Sequence, residues 1–306
     1  MTKSKSKRLP IKLASPIIKE LDFSNQKMVS FSQYSIYQSC PHKWENQYIK
    51  KIKPDPNINM TFGTAMHNTL QNYLNVMYEK SGAEADRIDI INYFETQLKT
   101  EYGNEIAKLG KHFSTKEELG EYYEDGVEIL KWFKSHRSAY FTTRNEFLIG
   151  CEVPIQKEVK NNVIFQGYID LVMYNSVVNK IYIFDFKTST KGWNEWNKKD
   201  ETKISQLLLY KQYFSELYQF PIDNIEVEFL ILKRKVQPTE WSEFPKRIQQ
   251  FRPADGKIKL KQTIVNFQTF LDTVFDEHGK HIIKEYPKNV TRLCDWCYLK
   301  GICKPY

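Results

Sequence analysis

No apolar run in this sequence approaches the ~18 residues of a membrane-spanning helix, so a transmembrane helix is not expected. No apolar segment follows the basic start either, where Lys3, Lys5, Lys7 and Arg8 crowd the first eight residues. Residues 1–25 therefore read as a basic tail and lead-in, not as a secretory signal. Internal repeats and low-complexity tracts are missing. Cysteine is scarce, with five in 306 residues. Without a secretory lead, that scarcity points to a reducing, cytoplasmic setting and argues against a disulfide framework.

What is present suits a folded domain. Hydrophobic residues make up 41% of the chain and aromatics 14%, enough for a sizeable core. The length fits one large domain or two small ones. The net charge of +8 and a pI near 9.0 favour an anionic partner, of which nucleic acid is the common one. Yet 27% charged residues of both signs is also an ordinary surface, so charge alone decides little.

Periodicity gives the order of elements. Residues 30–49 read as a helix with Ser32 at its N-cap, bent or interrupted by Pro41. Residues 51–59 form a loop. Residues 61–78 are a helix, with Phe62, Met66, Leu70, Tyr73, Leu74 and Met77 at helical spacing. Helical patterns continue over 87–105 and 116–140. The pattern turns to strand over 145–159, then to a hairpin, a polar loop (188–202), a helix (204–218) and an alternating strand (225–233). Residues 237–255 are irregular, with room for a small hairpin, and 257–278 are helical. Residues 26–306 thus make one α/β domain, a mixed sheet flanked by helices, with a helical insert at about 80–140.

The hairpin is the most informative segment. Gln166–Tyr174 and Lys180–Lys187 are rich in β-branched and aromatic residues, and Asn175–Asn179 is the turn between them. Symmetry about 177/178 sets Asp170 opposite Asp185. Alternation points Asp185 and Lys187 to the same face. Directly opposed carboxylates have Cβ atoms roughly 5 Å apart. At ~4 Å and an effective dielectric of ~20 they repel by about 4 kcal/mol. A hard divalent ion, Mg²⁺ or Mn²⁺, would offset that repulsion with all-oxygen ligands. Two exposed carboxylates and a solvated lysine are the plainer reading of the same residues. Gly63-Thr-Ala-Met-His67 and Gln206-Leu-Leu-Leu-Tyr210 lie on the helices that flank the hairpin in sequence; each is unremarkable alone.

Three cysteines fall within ten residues, in Cys294-Asp-Trp-Cys297-Tyr-Leu-Lys-Gly-Ile-Cys303. A fourth ligand must come from elsewhere. Cys40, beside Pro41, is the candidate, whereas Cys151 sits in a strand pattern and reads as a small buried residue. Four thiolates hold an iron–sulfur cluster or zinc. Zinc sites usually pair two CxxC knuckles, and the lone ligand here tilts the choice toward a cluster. Either would clasp the N-terminal region to the C-terminus. The loop after the hairpin carries Lys191, Trp193, Trp196, Lys198 and Lys199. Such a mixture suits stacking and phosphate neutralisation on a single strand, and equally a solvated loop whose tryptophans pack on the core.

Taken in order, Gly63-x-x-x-His67, Asp170, Asp185-Phe-Lys187 and Gln206-x-x-x-Tyr210 resemble the motif string of PD-(D/E)XK nucleases of the RecB type. Cys40 with Cys294-x-x-Cys297-x5-Cys303 resembles the iron–sulfur clasp of CRISPR-associated RecB-like exonucleases and of the AddB nuclease domain. The resemblance runs over roughly residues 30–306, and no helicase domain accompanies it. It implies a restriction-endonuclease-like core. In it Asp170, Asp185, His67 and the main-chain carbonyl of Phe186 would hold Mg²⁺ or Mn²⁺. Lys187 would position the attacking water and steady the phosphate charge, and Gln206 and Tyr210 would orient the lysine and the DNA end. Glu152 would be an auxiliary acid. The implied protein is a DNA exonuclease on single-stranded ends carrying a [4Fe-4S] cluster, with zinc the alternative occupant. Its setting would be recombination, repair, phage DNA metabolism or CRISPR adaptation, with protein partners to match, in a bacterial, archaeal or phage-infected cell. The alternative is a non-catalytic nucleic-acid-binding subunit of a recombination complex on the same fold.

Overall fold

The computed structural model describes residues 9–13, 26–237 and 245–303. Lys3, Lys5, Lys7 and Arg8 of the expected tail lie outside the described residues. The chain runs β1 (Lys27–Val29), α1 (Phe31–Ser39), α2 (Pro41–Trp44), α3 (Ile58–Glu79), α4 (Gly82–Asp86), α5 (Ile90–Leu109), α6 (Lys116–His136), β2 (Glu146–Lys160), β3 (Val163–Asn175), β4 (Lys180–Ser189), α7 (Glu195–Lys198), α8 (Glu201–Tyr218), β5 (Ile225–Lys233), β6 (Ile248–Phe251) and α9 (Lys257–Val274). These form a mixed six-stranded sheet flanked by helices, the α/β architecture expected.

Several differences from the sequence reading lie near the N-terminus. The helix expected over 30–49 is two helices. Its N-cap is Ser30, which accepts from the amide of Gln33, and not Ser32. Cys40 is extended and Pro41 begins α2, where a missing N–H costs nothing. The chain then widens into a π-turn over Glu45–Ile49. β1 carried no periodic signal because three residues are too few to show one. α3 begins earlier than its pattern, at Ile58, because Asn57 caps it by accepting from Met60 N. Within the irregular segment 237–255, β6 closes the sheet edge against β5. α9 stops at Val274, four residues short of the expected end, where Phe275 bridges back to His281.

The sheet forks. β3 pairs with β2 along its whole length and with β4 only from Asn175↔Lys180 to Leu171↔Phe184. On the same edge, β1 pairs in parallel with residues 163–165 of β3. β4 leaves β3 after Phe184 and continues with β5, in parallel, as far as Ser189↔Lys233. The crossover between β4 and β5 is α8. Residues 166–170 of β3 therefore have no ladder partner on the β4 side.

Each face of the sheet carries its own core. Val172, Ile183, Phe229 and Ile231 pack with α8 and α9, including Leu208, Phe214 and Phe270. Leu171, Met173, Phe184, Phe186 and Leu230 pack with α3, α5 and α6, including Phe62, Leu70 and Phe94. The alternation of β4 and β5 between these cores explains their near-continuous apolar sequences. β3 breaks the alternation at Asp170: Ile169 joins the α8 core and Leu171 the α3 core.

Candidate active site

The fork gathers the residues that the motif string named. The register of the hairpin is the expected one, yet Asp170 and Asp185 are not an opposed pair in the ladder. The strands separate just before them, and Asp170 Oδ2 instead accepts the N–H of Phe186 at 2.7 Å. This replaces a backbone bond and holds the fork open by one side chain. Asp185 is 2% exposed. Its Oδ2 lies 2.7 Å from Lys187 Nζ, a buried ion pair. Lys187 Nζ also donates to Gln206 Oε1 at 2.8 Å, which fixes the ammonium between β4 and α8.

From the α3 side, His67 Nδ1 stands 3.6 Å from Asp170 Oδ2, with its ring 5.7 Å from that of Phe186. From the α8 side, Tyr210 lies one turn beyond Gln206 and packs on β3 at Gly167. A Cβ there would come within 2.8 Å of Tyr210 Cε1. Gly167 is thus the close approach that lets α8 sit on the unpaired stretch of β3.

Sequence reasoning missed Gln71. It is buried one turn after His67, on the same face of α3, which was the available signal. Its Nε2 donates to Glu152 Oε1 at 2.6 Å and to the main-chain oxygen of Asp170 at 3.0 Å. Glu152 lies across from Asp170 on β2, between the pairs Cys151↔Leu171 and Val153↔Ile169. Its φ is +50°, a strained value for a non-glycine residue. The strain coincides with the break in alternation on β3.

Burial governs the electrostatics. It pushes the Asp170 carboxyl up to about 7, an effect that Lys187 and the Phe186 N–H oppose. Asp185 is pushed up to about 6 by burial, with Lys187 opposing. Burial lowers His67 to about 4, so its imidazole is neutral at neutral pH and can act as a ligand. Tyr210 is raised by burial and stays a neutral hydroxyl. Two buried carboxylates and a neutral imidazole are a donor set suited to a hard divalent ion. Among the described residues, however, no three histidine, cysteine or carboxylate groups are already gathered into a metal cage.

The sequence profile of the PD-(D/E)XK nuclease superfamily matches residues 28–304. The chain belongs to the PD-(D/E)XK nuclease superfamily. No curated protein matches the chain. Members are nucleases that hydrolyse phosphodiester bonds of DNA, in general with Mg²⁺ or Mn²⁺, and the forked mixed sheet is consistent with their restriction-endonuclease-like core. Among the described residues, no helix is long and apolar enough to cross a membrane.

The remaining expected site residues fall in two other places. Cys40, Cys294, Cys297 and Cys303 line one cavity of about 890 Å³ between α2 and the C-terminal segment. Cys40 Sγ accepts from Asn289 N at 3.4 Å, and Cys294 Sγ lies 3.8 Å from Asn289 O. Cys151 is elsewhere, 3.6 Å from Asn75 Oδ1, with its thiol pushed up to about 12 by burial. The loop after β4 is divided. Trp193 packs on Phe229 at 4.8 Å and Phe251 at 6.0 Å, and its backbone N–H is bound by Gln249. Trp196 on α7 is 85% exposed. Lys191 is exposed, and Lys198 pairs with Glu195 at 2.8 Å.

Proposed function

We propose that this chain is a RecB-like exonuclease acting on single-stranded DNA ends, with an iron–sulfur clasp at Cys40, Cys294, Cys297 and Cys303. The observation that carries the catalytic part is Lys187, held between Asp185 and Gln206 at the open end of the fork. Asp170, Asp185, His67 and the Phe186 carbonyl would hold Mg²⁺ or Mn²⁺. When bound, that ion lowers the pKa of a coordinated water and draws charge from the phosphate. The protein's own groups do the rest. Lys187 places a fixed positive charge beside Asp185, where negative charge develops on the phosphate oxygens. Gln206 holds that ammonium in one direction, and Gln71 ties Glu152 to the main chain of Asp170. Neutral His67 would offer that ion a lone pair without adding charge.

The single-strand preference rests on Trp196. An exposed indole on a short helix just beyond the end of β4 offers a stacking surface that a base can use only when unpaired. The clasp rests on four thiols lining one cavity. Lys43 and Arg292 line the same cavity, positive charge that suits an anionic cluster. Zinc would use the same four sulfurs.

Anaerobically purified protein is incubated with Mn²⁺ and with 5′-labelled, 3′-labelled and circular single strands. Progressive shortening of linear strands, with circles untouched, is the expected result. Cutting of circles would overturn the exonuclease reading. DNA binding with no cutting of any substrate would favour a non-catalytic subunit. Iron and sulfide analysis of the same preparation tests the clasp.

A further inference from the structure

A cationic recess lies next to the fork, apart from the groups assigned to cleavage. Lys191, Lys233 and Lys246 line a hollow of about 510 Å³ beyond the C-terminal ends of β4 and β5. Its wall includes Trp193, Gln249 and Gln250 but no carboxylate among the described residues. Several other lysines close to the sheet have an acidic partner: Lys180 is bound to Glu226 and Lys211 to Asp255. Among the described residues, no carboxylate pairs with these three.

The recess is built rather than incidental. Gly192 has φ +95° and lies over the stem of Lys233: a Cβ there would stand 3.0 Å from Lys233 Cδ and 2.8 Å from Gln249 Oε1. Gln249 clamps the loop at both ends of Trp193, accepting from its N–H at 2.7 Å and donating to its carbonyl at 2.9 Å. Lys246 Nζ is steadied 5.6 Å over the ring of Tyr140. Lys233 is held below the usual lysine range by burial, with Lys246 and Arg247 adding to the effect. Like charges gathered in this way call for an anion.

Its position says which anion. Ser189 pairs with Lys233, and Lys187 with Ile231. Lys233 continues the face of β5 that holds Phe229 and Ile231, the face on which Asp185 and Lys187 project from β4. It lies two residues beyond Lys187, about 7 Å along the strand, and one strand over, about 4.8 Å. A phosphate at Lys187 and a phosphate in the recess are therefore near neighbours. We propose that Lys191, Lys233 and Lys246 form a subsite for an internal backbone phosphate of the DNA strand, next to the phosphate that is cut. This proposal rests on the nuclease reading and specifies where the uncut strand is gripped.

The test uses the full chain carrying Asp185→Asn, in chelator, so that strands bind without cutting. Lys233→Gln and Lys246→Gln are added singly, and each is checked for an unchanged melting temperature. Because Lys246 is exposed, its variant keeps the test alive should Lys233→Gln fail to fold. Single-strand affinity is measured at several salt concentrations, and on oligonucleotides with one neutral methylphosphonate moved along the strand. The slope of log affinity against log salt should flatten by about 0.7 for each phosphate no longer neutralised. One internal methylphosphonate position should weaken the parent at least threefold and cost the lysine variants nothing. A parent that binds while the variants keep its slope and its position profile would refute the subsite and leave the nuclease reading intact. A profile sensitive only to a 5′- or 3′-terminal phosphate would refute it as well. If the parent binds no DNA and the wild type cuts none, the nuclease reading falls and the subsite with it.

Discussion

Replacing Asp170 with asparagine should make the protein more stable, provided divalent ions are removed. Asp170 has an ordinary carboxyl value of 3.8 and is raised to about 7 by burial. A carboxyl raised in the folded state binds its proton more tightly there than in the unfolded chain. The penalty is absent below about 3.8, grows as pH rises, and is complete above about 7. Three units at about 1.36 kcal/mol each set a ceiling of roughly 4 kcal/mol. Lys187 and the neighbouring Asp185 will adjust when Asp170 changes, so about half of that, ~2 kcal/mol, is the expected gain. Asparagine can still accept the Phe186 N–H, which isolates the charge from the hydrogen bond. For a chain of this size ~2 kcal/mol is about 4 °C in melting temperature. Thermal melts of wild type and Asp170→Asn in chelator at pH 8 should differ by that amount, and at pH 4.5 most of the difference should vanish. Adding Mn²⁺ at pH 8 should reverse the order. The wild type should gain about 2.7 kcal/mol at a hundredfold excess over its dissociation constant, and the variant far less. Equal melting temperatures in chelator at pH 8, or a gap independent of pH, would refute the argument from burial.

Three further outcomes are expected. Lys187→Ala should abolish Mn²⁺-dependent cutting and, in chelator at pH 8, lower the melting temperature, because buried Asp170 and Asp185 lose the charge that opposes their burial; wild-type turnover by a preparation free of other nucleases would remove Lys187 from the site. Cys40→Ala should lose the iron or zinc bound by wild-type protein and melt earlier, whereas Cys151→Ala should keep its metal content, and the reverse pattern would identify Cys151 as the fourth ligand. Trp196→Ala should weaken single-strand binding by about 1–3 kcal/mol with no change in salt slope, while Trp193→Ala should instead lower the melting temperature, because its ring packs against both Phe229 and Phe251; equal effects of the two on binding would show that both rings face the strand.

The sequence by itself determined the elements whose patterns repeat over many residues. The long apolar face of α3, the alternation in β5 and the hairpin symmetry about 177/178 each follow from local geometry, since side-chain periods of 3.6 and 2 are written into the chain. The order and spacing of His67, Asp170, Asp185, Lys187, Gln206 and Tyr210 were legible for a related reason: motif residues on regular elements keep fixed spacings. Short elements were not legible. β1 and β6 hold three and four residues, and they exist because a neighbouring strand offers unpaired backbone groups, which no local pattern records. The tertiary structure also decided what local symmetry had mispredicted. Hairpin geometry sets Asp170 against Asp185, but β4 leaves β3 to follow β5, and the Asp170 carboxylate takes the N–H thereby freed. Trp193 and Trp196, three residues apart in one polar loop, were equivalent in sequence. One turns inward because β5 and β6 present Phe229 and Phe251 beneath it, and the other has only solvent to face. Gln71 belongs to the same class, as does the strain at Glu152, an acid that the resemblance had already named. Gln71 matters because it bridges Glu152 and the main chain of Asp170, and such contacts across distant parts of the chain are fixed only when the sheet and α3 pack together.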